Sequence, residues 1–312
     1  MSLVIRLFSA ILALFIYFPS GQIASYAPLD KDNLKINFTV ISDGHMEGNE
    51  SQKHKNYGEG FRDMASAEVV SRALVMVGDN TMNGQLFESG MLYGLMNRYN
   101  KIENVLMAVG NHEICGSNYN KTNYNVLKNR FINYNNTFLD HKIENLYHSQ
   151  VIDGYHFIVL ASDRDEGVRQ YLSPEQLTWL DGELKSAAES GNPVFIFSHW
   201  PLNDVFPDVW QAGHVGEQSD ELKSLLTKYD NRVFFFSGHL HMGIFENGYG
   251  IKEDGKITYL NVPSFGSDNT NGGELQDTGL GFQVEVYESE LVVRVRDFVD
   301  HEWTDFEYHF DI

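Results

Sequence analysis

Five short polar clusters in this chain carry the residue types that hold metal ions. They are SDGH (Ser42 to His45), GDN (Gly78 to Asn80), GNHE (Gly110 to Glu113), SHWP (Ser198 to Pro201) and GHLH (Gly238 to His241). Together they supply Asp43, His45, Asp79, Asn111, His112, His199, His239 and His241. This is a mixed nitrogen and oxygen donor set without thiolate, which suits Zn, Fe, Mn or Co rather than Cu(I) or an iron–sulfur cluster. Eight candidates exceed the needs of one tetrahedral ion. They match two divalent ions sharing a carboxylate, the arrangement that activates water for attack on a phosphate ester.

Each cluster follows an apolar run that reads as a buried strand: FTVI, ALVMV, VLMAV, PVFIF and RVFFF. A strand that delivers Asp, Asn or His at its C-terminal end is how an α/β scaffold builds a site. One such cluster alone is an ordinary turn. Five in order point to a single centre.

In this order the clusters resemble the calcineurin-like metallophosphoesterases, over roughly Ile36 to Ser267; GNHE and GHLH are the most specific elements. The resemblance implies a four-layer α-β-β-α sandwich of two packed mixed sheets, with a dinuclear metal site at strand C-terminal ends. It also implies roles. Asp43, His45 and His241 would hold one ion, Asn111, His199 and His239 the other, and Asp79 would bridge them. His112 would bind neither and would act as general acid or electrostatic partner of the leaving oxygen. The residue types suit these roles: a carboxylate can bind two cations and offset their charge, and an imidazole can be cationic near neutral pH. One position departs from the pattern. Many members carry an Asp three places beyond the bridging one, where it orients the catalytic His, and purple acid phosphatases use a Tyr there. Here the residue is Met82, so another group must orient His112; Asn80 and Asn83 are candidates.

The rest of the chain bounds the reading. Its 312 residues suffice for one large α/β domain. Against 23 basic residues stand 43 acidic ones, a formal net charge of −20. Such a surface repels polyanions, which argues against nucleic acid as a partner. Residues 1–27 place Arg6 before an apolar stretch, Leu7 to Phe18, and then small residues, the layout of a secretory signal peptide cut near Ala24 to Ala27. The expectation is a secreted or extracytoplasmic protein with a single domain over 28–312. No membrane span would remain after cleavage, since the apolar run is short for one. An uncleaved anchor is the alternative. The single Cys115 has no partner for an internal disulfide.

Periodicity predicts helices over Asp63–Arg72, Leu86–Tyr99, Ser173–Ala188 and Asp220–Tyr229, and a strand over Gln150–Leu160. Alternation over Phe282–Ile312 predicts two strands and a last one, which with Tyr259–Val262 would complete the second sheet. Two segments are placed to shape a substrate pocket. Cys115–His148 carries Lys121, Lys128 and Arg130, and Asn203–Ser219 carries Phe206, Trp210 and His214 near Trp200. The expected activity is in-line hydrolysis of a small phosphoester, with a modest preference for a phosphodiester. A phosphomonoesterase, or a noncatalytic binding module on the same scaffold, is the alternative.

Overall fold

The central strands are apolar on both faces, so they need cover on both and settle in the interior. The structure, a computed structural model, describes residues 2–116, 121–206, 214–243, 250–266, 269 and 278–312. The first half contains α1 (Ser2–Ile16), β1 (Ile36–Ile41), α2 (Ser51–Met64), β2 (Ala73–Val77), α3 (Leu86–Tyr99), β3 (Asn104–Ala108), α4 (Asn111–Ile114) and α5 (Tyr124–Phe138). The middle contains β4 (His148–Ile152), β5 (Tyr155–Val159), α6 (Pro174–Ala188), β6 (Val194–Phe197), α7 (Ser219–Leu226) and β7 (Val233–Ser237). The last part contains β8 (Ile251–Asp254), β9 (Ile257–Asn261), β10 (Leu280–Val286), β11 (Glu290–Asp297) and β12 (Glu302–Asp311).

Among the described residues the strands form two six-stranded sheets, ordered β12-β11-β10-β1-β2-β3 and β4-β5-β6-β7-β9-β8. Both are mixed. The strands β1, β2 and β3 run parallel, as do β5, β6, β7 and β9, while the remaining pairings are antiparallel. Parallel neighbours need a crossover, and α2, α3, α6 and α7 supply it for β1–β2, β2–β3, β5–β6 and β6–β7. The sheets meet face to face through phenylalanines. Phe38 of β1 lies 5.0 Å from Phe157 and 4.7 Å from Phe195, ring centre to ring centre. The outward faces pack under helices, Met76 and Met107 sharing a core with Met91 and Leu95 of α3, and Ile196 and Phe235 with Leu180 of α6 and Leu222 of α7. The layering is therefore α-β-β-α, as the resemblance implies.

The helix over 173–188 forms for the reasons read in the sequence. Ser173 caps it by accepting the Gln176 N–H at 3.2 Å, Pro174 opens it, and Leu177, Leu180 and Leu184 are buried. Other readings need correction. The helix expected over Asp63–Arg72 lies upstream, at Ser51–Met64, and the chain beyond Ser66 is largely irregular. Its polar residues Asn56, Glu59 and Asp63 are buried and paired, which hid the buried face from a hydrophobic pattern. The strand expected over Gln150–Leu160 is a hairpin of β4 and β5, turned at Asp153 and Gly154, both with positive φ. The C-terminal strands β10 to β12 extend the first sheet, and the Tyr259 segment belongs to the second.

The N-terminal segment touches the domain. Helix α1 packs on α3, and Arg98 donates to Ala13 O at 3.1 Å. Tyr26 is buried beneath the Arg296 guanidinium, 3.9 Å from its ring centre. No helix among the described residues is long and apolar enough to cross a membrane.

Candidate metal centre

Each sheet sends ligand-bearing ends to one place. Asp43 and His45 follow β1, Asp79 follows β2, Asn111 and His112 open the short turn after β3, His199 follows β6, and His239 and His241 follow β7. Five of these, Asp43, His45, Asp79, His239 and His241, sit at positive φ of 44 to 72°. Side chains rarely adopt that region, and clusters of such residues mark functional sites. The motif glycines serve close approach. A Cβ at Gly110 would lie 2.1 Å from Asp79 Oδ1, and one at Gly238 would lie 2.4 Å from Asp43 Oδ2.

All eight residues expected at the site come together. The donor atoms of Asp43, His45 and His241 lie within 4.8 Å of one another, and so do those of Asp79, His199 and His239. Asp79 stands between the sets. Its Oδ2 is 3.1 Å from His199 Nε2, 3.9 Å from His45 Nε2 and 4.0 Å from His112 Nε2. His45 Nε2 and His241 Nε2 are 3.1 Å apart, and Asn111 Oδ1 is 3.2 Å from His199 Nε2. The candidate donors and His112 are buried except at one rim, where the His112 and His241 side chains keep 16% and 15% of their exposure.

Hydrogen bonds fix the donors. His199 Nδ1 donates to Val77 O at 2.9 Å, which turns Nε2 inward. Asp43 accepts from Ser42 Oγ at 2.6 Å and from the His239 N–H at 3.0 Å. Asp79 Oδ1 accepts the His112 N–H at 2.9 Å. His112 Nδ1 donates to Met82 O at 2.7 Å. The group orienting His112 is thus a backbone carbonyl. Asn80 donates instead to Ala108 O, and the Asn83 side chain to Glu88.

The electrostatics call for cations. Burial raises the Asp43 carboxyl, but His199 and His241 outweigh it and bring it down to about 2. For Asp79 too burial acts upward, while His199 and His112 hold the carboxyl well below its ordinary value. His199 is pushed up to about 9, its burial overcome by Asp79 and Asp43. Burial holds His45 well below the ordinary imidazole value. Two buried carboxylates therefore rely on imidazolium for compensation, and among the described residues no Lys or Arg lies within ion-pairing distance of either. Divalent cations fit this donor set: two carboxylates, an amide oxygen and inward imidazole nitrogens.

Sequence reasoning gave no role to Glu113. It is buried and pushed up to about 8, first by burial and then by Asp79. It accepts from Thr81 N at 2.6 Å, Thr81 Oγ1 at 2.9 Å and Gly110 N at 2.9 Å, tying the second and third clusters together. Its place three residues into a turn was the available signal. The expected aromatic wall is not formed by Trp200, which is fully buried with its ring 5.1 Å from His199 and backs the ligands instead; Phe206 is also buried. Trp210 lies outside the described residues.

The sandwich and the order of its ligand turns define a metallophosphoesterase fold. Residues 36–243 match the calcineurin-like phosphoesterase family, and the chain belongs to it. It is 33% identical over 87 residues to a 3′,5′-cyclic-nucleotide phosphodiesterase of Nostoc sp., covering 28% of this chain and 32% of that protein. It is 30% identical over 90 residues to a manganese-dependent ADP-ribose/CDP-alcohol diphosphatase of Arabidopsis thaliana, covering 28% of each. The chain thus aligns with less than a third of the length of each of these relatives. In fold it is similar to a dimetal phosphatase from Danio rerio, with a TM-score of 0.58 and 14% identity over 89% of this chain and 99% of that one.

Proposed function

We propose that this protein is a dinuclear-metal phosphoesterase that hydrolyses a small phosphodiester. The observation that carries the reading is the position of Asp79, one carboxylate reaching toward both donor sets. Asp43, His45 and His241 would hold one cation, Asn111, His199 and His239 a second, with Asp79 shared. When bound, the cations supply Lewis acidity toward the phosphoryl group and lower the pKa of coordinated water. The chain's own residues do the rest. Met82 O fixes the His112 ring by accepting from Nδ1, so Nε2 faces the centre from the open rim. From there it donates a proton to the departing oxygen. The preference for a diester is supported by the relatives, whose names describe a cyclic-nucleotide phosphodiesterase and a diphosphatase of nucleotide conjugates.

The test joins metal analysis to kinetics. Protein loaded with Mn or Zn should hold two ions per chain. His112→Ala should cut turnover of an alkyl phosphodiester by roughly 10²–10⁴-fold and keep its metal. Asp79→Asn should lose both. A His112→Ala protein emptied of metal would remove the general-acid assignment. Faster turnover of an aryl phosphomonoester than of an aryl phosphodiester would favour the phosphatase reading.

We also propose export. Support comes from Arg6 and the apolar Leu7–Phe18 stretch. A cut on the Ala24 side of the expected range would keep Tyr26 beneath Arg296 and would remove α1 with its contacts to α3. Intact mass of protein recovered outside the cytoplasm tests this; recovery only inside would refute it.

A further inference from the structure

His112 is oriented by a peptide carbonyl, and a carbonyl points only as steadily as its own peptide is held. The carbonyl of Met82 and the N–H of Asn83 belong to one planar trans unit, facing opposite ways. His112 Nδ1 donates to that C=O at 2.7 Å. The N–H of the same unit donates to Glu88 Oε2 at 2.9 Å. Glu88 is buried at the start of α3, and it also accepts from Gln85 N at 3.0 Å and Asn83 Nδ2 at 3.1 Å. The loop is braced from a separate element as well: Arg130 of α5 donates to Gly84 O at 2.5 Å, and Tyr134 to Leu86 O at 2.9 Å. The chain of contacts thus runs carboxylate, peptide, imidazole. A carboxylate accepting the N–H polarises the peptide and strengthens the carbonyl as an acceptor.

We propose that Glu88 is the positioning residue for His112, acting through the Met82–Asn83 peptide in place of the carboxylate absent at position 82. This rests on His112 serving as general acid. Glu88 does not touch the reacting atoms; it fixes the tautomer and direction of the ring that does, leaving Nε2 to carry the proton passed to the leaving oxygen.

The test uses leaving groups. An alkoxide needs that proton and a nitrophenolate does not, so a fault in His112 shows only with the former. His112→Ala and Glu88→Gln are compared on a p-nitrophenyl diester and an alkyl diester of the same phosphate, with metal content and Tm measured. Gln is itself accepted at this helix position, so the fold should survive. For Glu88→Gln, kcat on the alkyl diester should fall about tenfold or more, a fraction of the general-acid effect. KM, metal content and p-nitrophenyl turnover should stay near wild type. In metal-free protein, the His112 Nδ1–H proton resonance should move upfield. If His112→Ala discriminates between leaving groups and Glu88→Gln does not, or Glu88→Gln slows both substrates equally or loses metal, the positioning role is wrong and the general acid stands. If His112→Ala itself slows both equally, the general-acid reading falls and this inference with it. If Glu88→Gln fails to fold, the resonance and the leaving-group ratio are read in Asn83→Pro, which deletes the N–H. An unchanged ratio there overturns the proposal.

Discussion

At the residue scale the centre is made of backbone as much as of side chains. Five candidate ligand residues hold left-handed backbone, a cost of order 1–3 kcal/mol each that surrounding structure must sustain. The clusters therefore need residues with no Cβ where turns cross. Gly110 bears directly on the shared carboxylate, because a Cβ there would strike both Asp79 Oδ1 and, at 2.6 Å, Asp79 N. Neither is the end of a flexible chain that can swing away. Gly110→Ala should displace the shared carboxylate and lower metal content below one ion per chain, with turnover falling at least 10²-fold. The strands beneath should hold, so Tm should drop by only a few degrees. Metal analysis beside a melting curve checks this; full metal occupancy would show that the turns have more slack than the geometry allows.

At the element scale the two sheets are joined at their edges by polar contacts as well as through the phenylalanine core. His148 on β4 donates from Nε2 to Met107 O of β3 at 3.3 Å, and its Nδ1 meets His141 Nε2 at 3.2 Å. Burial, and then His141, push His148 down to about 3 from an ordinary 6.5. The unfolded chain thus binds a proton on this residue over a range where the folded chain does not. The sign follows: its contribution is complete above pH 6.5 and is lost as pH falls toward 3. Each pH unit in that window removes up to about 1.4 kcal/mol. His148→Gln can keep both hydrogen bonds without titrating, so its denaturant midpoint should fall less steeply between pH 6.5 and 4.5. Parallel curves for the two proteins would refute this. The same scale shows what was legible in advance. Strands delivering ligands were readable, since each pairs a fully apolar run with a polar turn. The helix at Ser51–Met64 was not, because its buried residues mix Tyr57, Phe61 and Met64 with Asn56, Glu59 and Asp63, the polar ones satisfied by partners such as Arg296. The sheet membership of β10 was invisible for a related reason: Gln283 and Glu285 are buried yet hydrogen-bonded, and alternation alone names no partner strand. At the site, residue types were legible but the orienting group was not, because any residue has a carbonyl.

At the scale of the whole molecule the dominant quantity is charge. Forty-three acidic residues against 23 basic ones give −20, while the centre itself would gain positive charge on binding two cations. The two fields differ in reach. Cations in a buried site act on a phosphate that has entered the rim beside His112 and His241. The surface charge acts on the approach, over a Debye length of about 10 Å at 0.1 M salt. A small diester carries one charge and crosses that field at little cost. An oligonucleotide carries one per residue and meets repulsion along its length. Capture of the oligonucleotide should therefore be slow at low ionic strength and quicken as salt is added, opposite to the behaviour of a basic nucleic-acid binder. A small aryl diester should show little salt dependence. The measurement is kcat/KM for both substrates between 20 and 300 mM salt, with metal in excess throughout. A rate on single-stranded oligonucleotide that falls with salt would reveal a basic path to the centre and would move the proposed substrate from small diesters to polymers.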